Sequence, residues 1–358
     1  MSIVDQLSKI VDDGASDIFI VAGLPLSYKA HGQIVNYGED KLMPADTAQL
    51  ITEIYQLATN RDMSRLNKCG DDDFSFALRG IARFRINAFK QRGSLSAVIR
   101  VITFSIPQPS DLGIPDNIIE LADKKKGLVL VTGPAGSGKS TTLACMIDHI
   151  NSSRQAHIIT LEDPLEYLHT HKMSIVSQRE VITDTESYLT ALRASLRQSP
   201  DVILLGEMRD FETMSVAMTA AETGHLILST LHTIGASNTI DRIIDAFPSN
   251  QQHQIRFQLS MVLQAVVSQQ LVPAVDGSII PVFEIMTLTP AIRSQIRDGN
   301  IHQIDGTISN SAAADMIAMD TSLLNLFKEG RITEKTALSF ATNAGDLQRK
   351  ILKAKGGI

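Results

Sequence analysis

The sequence predicts an α/β fold in which a mostly parallel sheet is covered by helices on both faces. Apolar runs of strand length alternate with amphipathic helical stretches from the proline-rich segment at Pro107 to about residue 285, a pattern typical of parallel sheets. One glycine-rich loop connects such a run directly to such a helix. With 358 residues, 44% of them hydrophobic, the chain is long enough for about two domains.

Residues 1–106 are predicted to form a small α+β domain. Segment 3–11 carries apolar residues at helical spacing, residues 17–21 form a short strand, and a second helix contains segment 50–57. A meander of three alternating strands follows, joined by two short turns. The predicted strands of the meander are Phe74–Leu78, Ala82–Phe89 and Leu95–Ile102.

Successive side chains of a strand point to opposite faces of its sheet. In the middle strand of the meander, Arg83, Arg85 and Asn87 therefore project together on one face. The opposite face carries the apolar residues Phe84, Ile86 and Ala88.

A linker is expected at residues 107–114, since two prolines within Pro107-Gln108-Pro109-Ser110 stiffen the chain. We place the second domain at residues 115–288 and predict a mainly helical region at residues 289–358. The predicted strands of the second domain are Leu128–Val131, His157–Leu161, Val202–Leu205, Leu226–Ser229 and Ile280–Ile285.

The helix predicted before the strand Val202–Leu205 has a recognisable N-terminal capping sequence. Thr183-Asp184-Thr185-Glu186 has the spacing of a capping box, so we expect the helix to begin there. Its buried residues are then Leu189, Leu192 and Leu196.

The most informative run is Gly133-Pro134-Ala135-Gly136-Ser137-Gly138-Lys139-Ser140, which matches the phosphate-binding motif GxxxxGK[ST]. Its glycines allow successive backbone N–H groups to turn onto a phosphate, aided by the dipole of the following helix. We assign nucleotide binding to this loop and Thr141, with Lys139 reaching the β- and γ-phosphates of ATP and Ser140 holding Mg²⁺. The apolar side of the following helix consists of Leu143, Met146, Ile147 and Ile150.

Composition excludes several classes of protein. The net charge of −6 and the lack of a long basic run argue against a protein that coats nucleic acid. No segment approaches roughly 18 uninterrupted apolar residues and no signal peptide is recognisable, so we expect a cytoplasmic protein without membrane insertion. Cys69 and Cys145 stand far apart, which excludes a disulfide framework and a four-cysteine zinc site.

Polar residues follow three of the predicted strands. Because ligands of open parallel sheets bind beyond the carboxyl ends of the strands, Glu162, Glu207 and His232 are expected near the phosphate loop. A nucleoside triphosphatase needs one carboxylate near the metal ion and another for the attacking water, and these two glutamates fit both needs. His232 is placed to sense the γ-phosphate. A helix cap is the simpler interpretation of a single acidic strand end and of His225.

These blocks resemble the secretion ATPase superfamily of type II secretion and type IV pilus motors, and within it the pilus retraction ATPases. The phosphate loop, an acidic box at residues 160–166, a Walker B segment ending in Gly206-Glu207 and a histidine box at residues 225–232 carry the resemblance. Further matching blocks extend it over nearly the whole chain. They are Gly14-Ala15-Ser16-Asp17, Ala220-Ala221-Glu222-Thr223-Gly224-His225 and Pro290-Ala291-Ile292-Arg293.

The resemblance implies a PAS-like N-terminal domain, a RecA-like P-loop ATPase domain, and a homohexamer. It implies that arginines of the N-terminal domain complete the ATPase site, and Arg83, Arg85 and Arg100 stand in the matching strands. A surface ion pair is the simpler role for such an arginine.

Catalytic roles follow from the same resemblance. Glu162 is the expected general base, and Glu207 with Ser140 organises Mg²⁺. Lys139 and either Arg85 or Arg100 neutralise phosphate charge.

The implied function is a motor that hydrolyses MgATP at the inner face of the cell membrane. It acts on a membrane-embedded platform protein and, through it, removes pilin from a type IV pilus. A pilus extension or secretion ATPase is the nearest alternative, but such relatives usually carry a four-cysteine module and an extra N-terminal domain. Two alternatives belong to other classes of protein. One is a nucleic-acid translocase, which the net negative charge of the chain disfavours, and the other is a nucleotide sensor that does not hydrolyse ATP.

Two blocks depart from the family pattern. Asp17-Ile18-Phe19 stands where the family has Asp-Leu-His, so any role of that histidine is lost. The retraction signature Ala-Ile-Arg-Asn-Leu-Ile-Arg-Glu reads Ala291-Ile292-Arg293-Ser294-Gln295-Ile296-Arg297-Asp298 here, with both arginines kept.

This second block is predicted as a short helix between Thr289 at the N-cap, followed by Pro290, and Gly299 at the C-terminal end. Arg293 and Arg297 then share one exposed face. An ordinary amphipathic helix has the same pattern.

Overall fold

The computed structural model describes residues 2–30, 32–59, 61–102, 104–313 and 315–356. The chain divides into two compact units. The first is Met1–Ser105 with the short segment Glu166–Leu168, and the second is Ile106–Leu165 with His169–Ile358. Among the described residues, no helix combines the length and the apolar character needed to cross a membrane.

The first unit is a six-stranded antiparallel sheet with helices packed on one face. Its elements are α1 (Ile3–Asp12), β1 (Ala15–Ile20), β2 (Pro25–Ala30), β3 (Gln33–Lys41), α2 (Pro44–Leu57), α3 (Ser64–Cys69), β4 (Asp71–Leu78), β5 (Ala82–Gln91) and β6 (Ser94–Ile102). The spatial order of the strands is β3-β2-β1-β6-β5-β4. The predicted meander is confirmed as β4 to β6, whereas β2 and β3 were not predicted.

The predicted alternation along β5 is also confirmed. Phe84, Ile86 and Ala88 are buried in the core of this unit, which α1 and α2 cover with their apolar faces. Arg83 and Arg85 are half-buried on the other face.

The second unit is built on a seven-stranded sheet. Its elements are α4 (Asp116–Ile119), β7 (Gly127–Thr132), α5 (Lys139–Ser153), β8 (His157–Glu162), β9 (Ile175–Glu180), α6 (Tyr188–Ser195), β10 (Val202–Leu205), α7 (Phe211–Glu222), β11 (Leu226–Leu231), α8 (Ala236–Asp245), α9 (Gln252–Val262), β12 (Leu263–Pro273) and β13 (Ile279–Thr287). The strand order is β13-β12-β7-β11-β10-β8-β9, and all pairs are parallel except β12 with β13.

Helices cover both faces of this sheet, as predicted. Leu128 and Leu130 of β7 belong to the apolar cluster formed with α6 to α9, whereas Val129 and Val131 belong to the cluster formed with α4 and α5. The α/β class with a mostly parallel sheet is therefore confirmed. The strands β9 and β12 were not predicted.

The C-terminal region is helical, as predicted. It contains α10 (Pro290–Asp298), α11 (Ile304–Ser309), α12 (Met319–Lys328), α13 (Glu334–Phe340) and α14 (Ala344–Gly356). The predicted caps of α10 are confirmed, because Thr289 Oγ1 accepts a bond from Ile292 N at 3.3 Å and Gly299 ends the helix with φ 78°. Arg293 and Arg297 are both exposed.

The predicted start of the helix before β10 is wrong. The N-cap of α6 is Ser187, whose Oγ accepts a bond from Thr190 N, and residues 183–186 lie before the helix. Asp184 instead accepts a bond from Glu180 N and closes a turn after β9. Leu192 is buried as predicted, whereas Leu189 and Leu196 are half-buried.

Candidate active site

The phosphate loop lies between β7 and α5, and its glycines are required by its backbone. Gly133 and Gly138 have φ values of 140° and 85°, which favour glycine. A Cβ atom on Gly133 would lie 2.1 Å from the backbone oxygen of Gln269, and one on Gly138 would lie 2.9 Å from its Nε2 atom. Gln269 of β12 therefore packs directly against the phosphate loop. Thr142 Oγ1 donates a 2.7 Å hydrogen bond to Gln269 Oε1.

Lys139 occupies the first position of α5 and is largely buried. Its Nζ atom donates to the carbonyl oxygens of Gly133 and Pro134, both at 2.9 Å. The ammonium group is thus held at the phosphate loop by carbonyl groups of the loop's own backbone.

The first turn of α5 is left open for an anion. The N-cap is Gly138, which offers no side-chain cap, and the first turn contains no acidic residue. Its backbone N–H groups and the positive end of the helix dipole therefore favour a phosphate. Ser140 and Thr141 lie half-buried in this turn, and the buried Ser137 Oγ has no hydrogen-bond partner among the described residues.

The strand ends next to the loop are tied together by hydrogen bonds. Strand β10 lies between β8 and β11, and only β11 separates it from β7. Gly206 N donates to Leu161 O at 2.8 Å, while Thr230 Oγ1 donates to Gly206 O. Glu207 is thus fixed at the end of β10, about two strand spacings, or roughly 10 Å, from the loop strand.

Glu207 has basic partners on both carboxylate oxygens. Arg209 forms an ion pair with Oε1, and His232 Nε2 lies 3.5 Å from Oε2. The hydrogen bond to Glu207 raises the pKa of Arg209. The structure therefore brings the predicted residues Glu207 and His232 together. It also adds Arg209, which was predictable because it lies two residues after Glu207 at the same strand end.

The hydroxyl of Tyr188 lies next to Gly206, at the end of β10. A Cβ atom on Gly206 would lie 2.8 Å from the Tyr188 hydroxyl, so the tyrosine requires a glycine before Glu207. Burial raises the pKa of Tyr188, and the charges of Glu207, Asp163 and Glu162 raise it further. Nothing in the sequence pointed to this residue, because its position depends on a turn whose hydrogen bonds were not predicted.

Glu162 is the last residue of β8 and is half-buried. Its backbone oxygen accepts a 2.8 Å bond from Val181 N, and in the sheet it lies opposite Glu180. Its charge adds to the rise in the pKa of Tyr188, as the charge of Glu207 does.

His225 is not part of this group. Its Nδ1 atom donates to Ala220 O at 2.9 Å and so caps the C-terminal end of α7. It precedes β11, at the end of the sheet where Gly127 begins β7, opposite to the phosphate loop. The capping role considered for His225 is confirmed.

The three arginines of the first unit lie on the outer face of its sheet. Arg85 of β5 lies directly opposite Arg100 of β6, and Arg100 lies opposite Asp17 of β1. Arg100 Nε is 3.4 Å from Asp17 Oδ1, and Arg83 Nη2 donates a 2.6 Å bond to Ser75 Oγ. Arg100 remains two-thirds exposed despite this ion pair, so its guanidinium is accessible.

A cavity of about 670 Å³ adjoins the start of α5. Its wall includes Leu112, Gly138, Thr141, Ile280 and Arg331. The volume is typical of small-molecule sites. The linker, the phosphate loop and the C-terminal region all contribute to it, which explains why no local pattern predicted it.

Comparison with known proteins gives concordant results. Residues 2–312 match the family model described as Type II/IV secretion system protein. The type IV pilus retraction ATPase PilT of Pseudomonas aeruginosa is 41% identical over 337 residues, which cover 94% of this chain and 97% of PilT. The type IV pilus ATPase PilU of the same organism is also 41% identical, over 96% of this chain and 90% of PilU.

The fold is shared as well. A crystal structure of the pilus retraction motor PilT with bound ADP superposes with a TM-score of 0.88. Its sequence is 44% identical, and the match covers 98% of this chain and 99% of that chain.

Proposed function

We propose, because this chain belongs to the Type II/IV secretion system protein family, that it is an ATP-hydrolysing motor for type IV pilus retraction. It works as a ring of six identical subunits that engages a platform protein at the inner face of the cell membrane. Residues 1–106 form the PAS-like domain, residues 115–288 the RecA-like ATPase domain, and residues 289–358 its helical extension.

One observation carries this proposal. The phosphate loop, Glu207 and His232 lie at the carboxyl ends of β7, β10 and β11, and His232 Nε2 approaches Glu207 Oε2 to 3.5 Å. An anion-binding loop, a carboxylate and an imidazole ring at neighbouring strand ends are the groups that a site for a nucleotide and its metal ion requires, which supports the proposal.

The residues of the loop fit a nucleotide phosphate. Gly133 and Gly138 bring the backbone close to β12, the first turn of α5 lacks a cap, and the buried Ser137 Oγ has no partner among the described residues. The base and ribose then extend into the cavity beside Thr141 and Arg331.

The same site fits Mg²⁺. Magnesium is usually held by one or two protein groups together with substrate phosphates and water, and Ser140 with Glu207 supplies such a set. Bound there, Mg²⁺ supplies positive charge to the β- and γ-phosphates.

The protein's own groups then have distinct roles. Lys139 leaves the two loop carbonyls and binds the β- and γ-phosphates. Glu162 orients the attacking water and accepts its proton. His232 exchanges Glu207 for the γ-phosphate, and Arg85 or Arg100 of a neighbouring subunit stabilises the charge on that phosphate.

Release of phosphate from MgATP by the purified chain tests this function. We expect turnover in the intact protein and none in Lys139→Ala, because the phosphate-binding ammonium is lost. Lys125→Ala is the matched control, since Lys125 is exposed and lies before β7. Phosphate release that is independent of Lys139, or stimulated by added DNA, would contradict the proposal.

A further inference from the structure

Glu284 of β13 is a buried carboxylate that no catalytic role explains, with a relative exposure of 6%. Its Oε1 atom accepts a 2.8 Å bond from Ala236 N, and its Oε2 atom accepts a 3.3 Å bond from Met319 N. These residues begin α8 and α12, so one side chain joins the N-terminal ends of two helices. Burial raises the pKa of Glu284, and the two backbone bonds offset only part of this effect.

Helix α8 begins four residues after His232, and the segment between them is held firmly. Gly235 N donates a 2.9 Å bond to Ser268 Oγ of β12. The hydroxyls of Thr233 and Thr239 are 2.7 Å apart. The position of His232 beside Glu207 therefore depends on where the first turn of α8 is anchored, and Glu284 and Ser268 are its anchors in the sheet.

Glu284 is also connected to the C-terminal region. Strand β13 runs on to Thr287, and α10 begins at Pro290 with the exposed Arg293 and Arg297. Helix α12 is bound directly through Met319 N. A shift of the His232 segment would therefore change the hydrogen bonds of Glu284, and Glu284 also binds α12. Glu284 lies on β13, the strand that precedes α10.

We propose that Glu284 is a positioning residue that holds His232 in register with Glu207 and links the nucleotide-sensing segment to α10 and α12. This inference rests on the proposed function, because it takes His232 as the group that responds to the γ-phosphate. An apolar residue at position 284 would leave two helix-terminal N–H groups without an acceptor.

The test is a double-mutant cycle between Glu284→Gln and His232→Ala in the full chain. Glutamine keeps the shape of the side chain but replaces one acceptor oxygen by an NH₂ group, which cannot accept from a backbone N–H. A misplacement of about 1 Å at a catalytic group costs up to roughly 100-fold in rate, so we expect kcat to fall by about tenfold or more. The KM for MgATP should change by less than about twofold.

In the His232→Ala background, Glu284→Gln should lower kcat by less than about twofold, because the group that it positions is already absent. The ratio of affinities for a non-hydrolysable ATP analogue and ADP gives a second readout where turnover is too slow. Ser268→Ala removes the other anchor in the sheet and should show the same dependence on His232, even if Glu284→Gln fails to fold.

Asp72→Asn is the matched control. Asp72 is a buried carboxylate of the first unit, and it accepts bonds from Tyr55 and Arg61. Its substitution should change kcat by the same factor with and without His232.

Equal losses of kcat for Glu284→Gln in both backgrounds would show a purely structural role and overturn the inference. An unchanged kcat in either single variant, Glu284→Gln or His232→Ala, would also overturn it. Hydrolysis by the unaltered chain tests the proposed function separately, so the two failures are distinguishable.

Discussion

His232 Nε2 lies 3.5 Å from Glu207 Oε2, across the ends of two adjacent parallel strands. Arg209 occupies the other oxygen of the same carboxylate. Glu207 is only 12% exposed, whereas the ring of His232 is 59% exposed and free to turn toward a ligand. The histidine can therefore exchange partners while the carboxylate stays in place, which is the property required of a group that reports nucleotide state.

Glu162→Gln should keep ATP binding and lose turnover, because glutamine cannot take a proton from the attacking water. Loss of one preorganised charged group typically costs about 10² to 10³ in rate. Nucleotide affinity by fluorescence and phosphate release measure the two properties separately. Near-normal turnover would instead assign the base to Glu166 or Glu207.

The arginines of the first unit should act between subunits. An arginine that reaches a γ-phosphate is worth roughly 10³ to 10⁵ in rate, so the variant Arg85→Ala with Arg100→Ala should fold normally and turn over slowly. Mixing it with Lys139→Ala chains should restore some hydrolysis, because mixed rings combine an intact loop with an intact arginine pair. Failure to complement, with mixed rings demonstrated by mass spectrometry, would assign these arginines a structural role.

Gly133→Ala should destabilise the protein more than Gly136→Ala. The new Cβ on residue 133 would lie 2.1 Å from Gln269 O, which forces β12 or the loop to move. Overpacking of this kind typically costs about 1 to 3 kcal/mol, and occasionally more.

Gly136 is the control, because it also has a positive φ, 76°, yet a Cβ atom added there would meet nothing within 4 Å. Its substitution should cost only the backbone strain, about 1 to 2 kcal/mol, which Gly133→Ala incurs in addition to its overpacking. Chemical denaturation without nucleotide compares the two, and equal losses would contradict the packing of Gln269 against the loop.

Asp72 should stabilise the first unit in a pH-dependent way. Burial raises the pKa of Asp72, but the hydrogen bonds from Arg61 and Tyr55 outweigh it and hold the pKa below its ordinary value. A lowered pKa in the folded state means that the stabilisation is present above about pH 4 and is lost as the pH falls through the folded value.

At pH 7, Asp72→Asn should therefore lower the free energy of unfolding by about 2 kcal/mol, the usual contribution of hydrogen bonds to a charged group, because the Arg61 side chain stays 37% exposed. The difference from the unaltered chain should shrink as the pH falls below about 4. Asp71→Asn, at the exposed neighbouring position, should have little effect at any pH. A difference that does not depend on pH would contradict the role of the ionised carboxylate.

Replacement of both Arg293 and Arg297 by alanine should separate hydrolysis from movement. Both side chains are exposed on α10, and Arg297 contacts Ser294 and Asp298 of the same helix. The fold, ring formation and ATPase rate should persist, while pilus retraction in cells is lost. Retained retraction, or a parallel loss of hydrolysis, would show that α10 is not a dedicated coupling element.

The sequence was sufficient where the position of a residue depends on local order along the chain. The phosphate loop follows β7 and ends where Lys139 opens α5, and Glu207 and His232 follow strands whose carboxyl ends share one edge of the sheet. The caps of α10 were predictable for the same reason, since Thr289, Pro290 and Gly299 act within one helix.

Contacts between distant segments were not predictable. Gln269 bonds to Thr142, 127 residues away, and β12 itself lacks a clear alternating pattern because it is buried on both faces. The start of α6 was predicted wrongly because two segments in succession carry residues that can cap a helix. The turn after β9 uses Asp184, so the helix begins instead at the weaker signal of Ser187.

Shortening of labelled pili in living cells tests the central claim most directly. In a strain that lacks this gene, the unaltered chain should restore retraction, and Lys139→Ala, produced at the same level, should not. Retraction restored equally by both chains would contradict the claim that hydrolysis at this phosphate loop drives pilus disassembly.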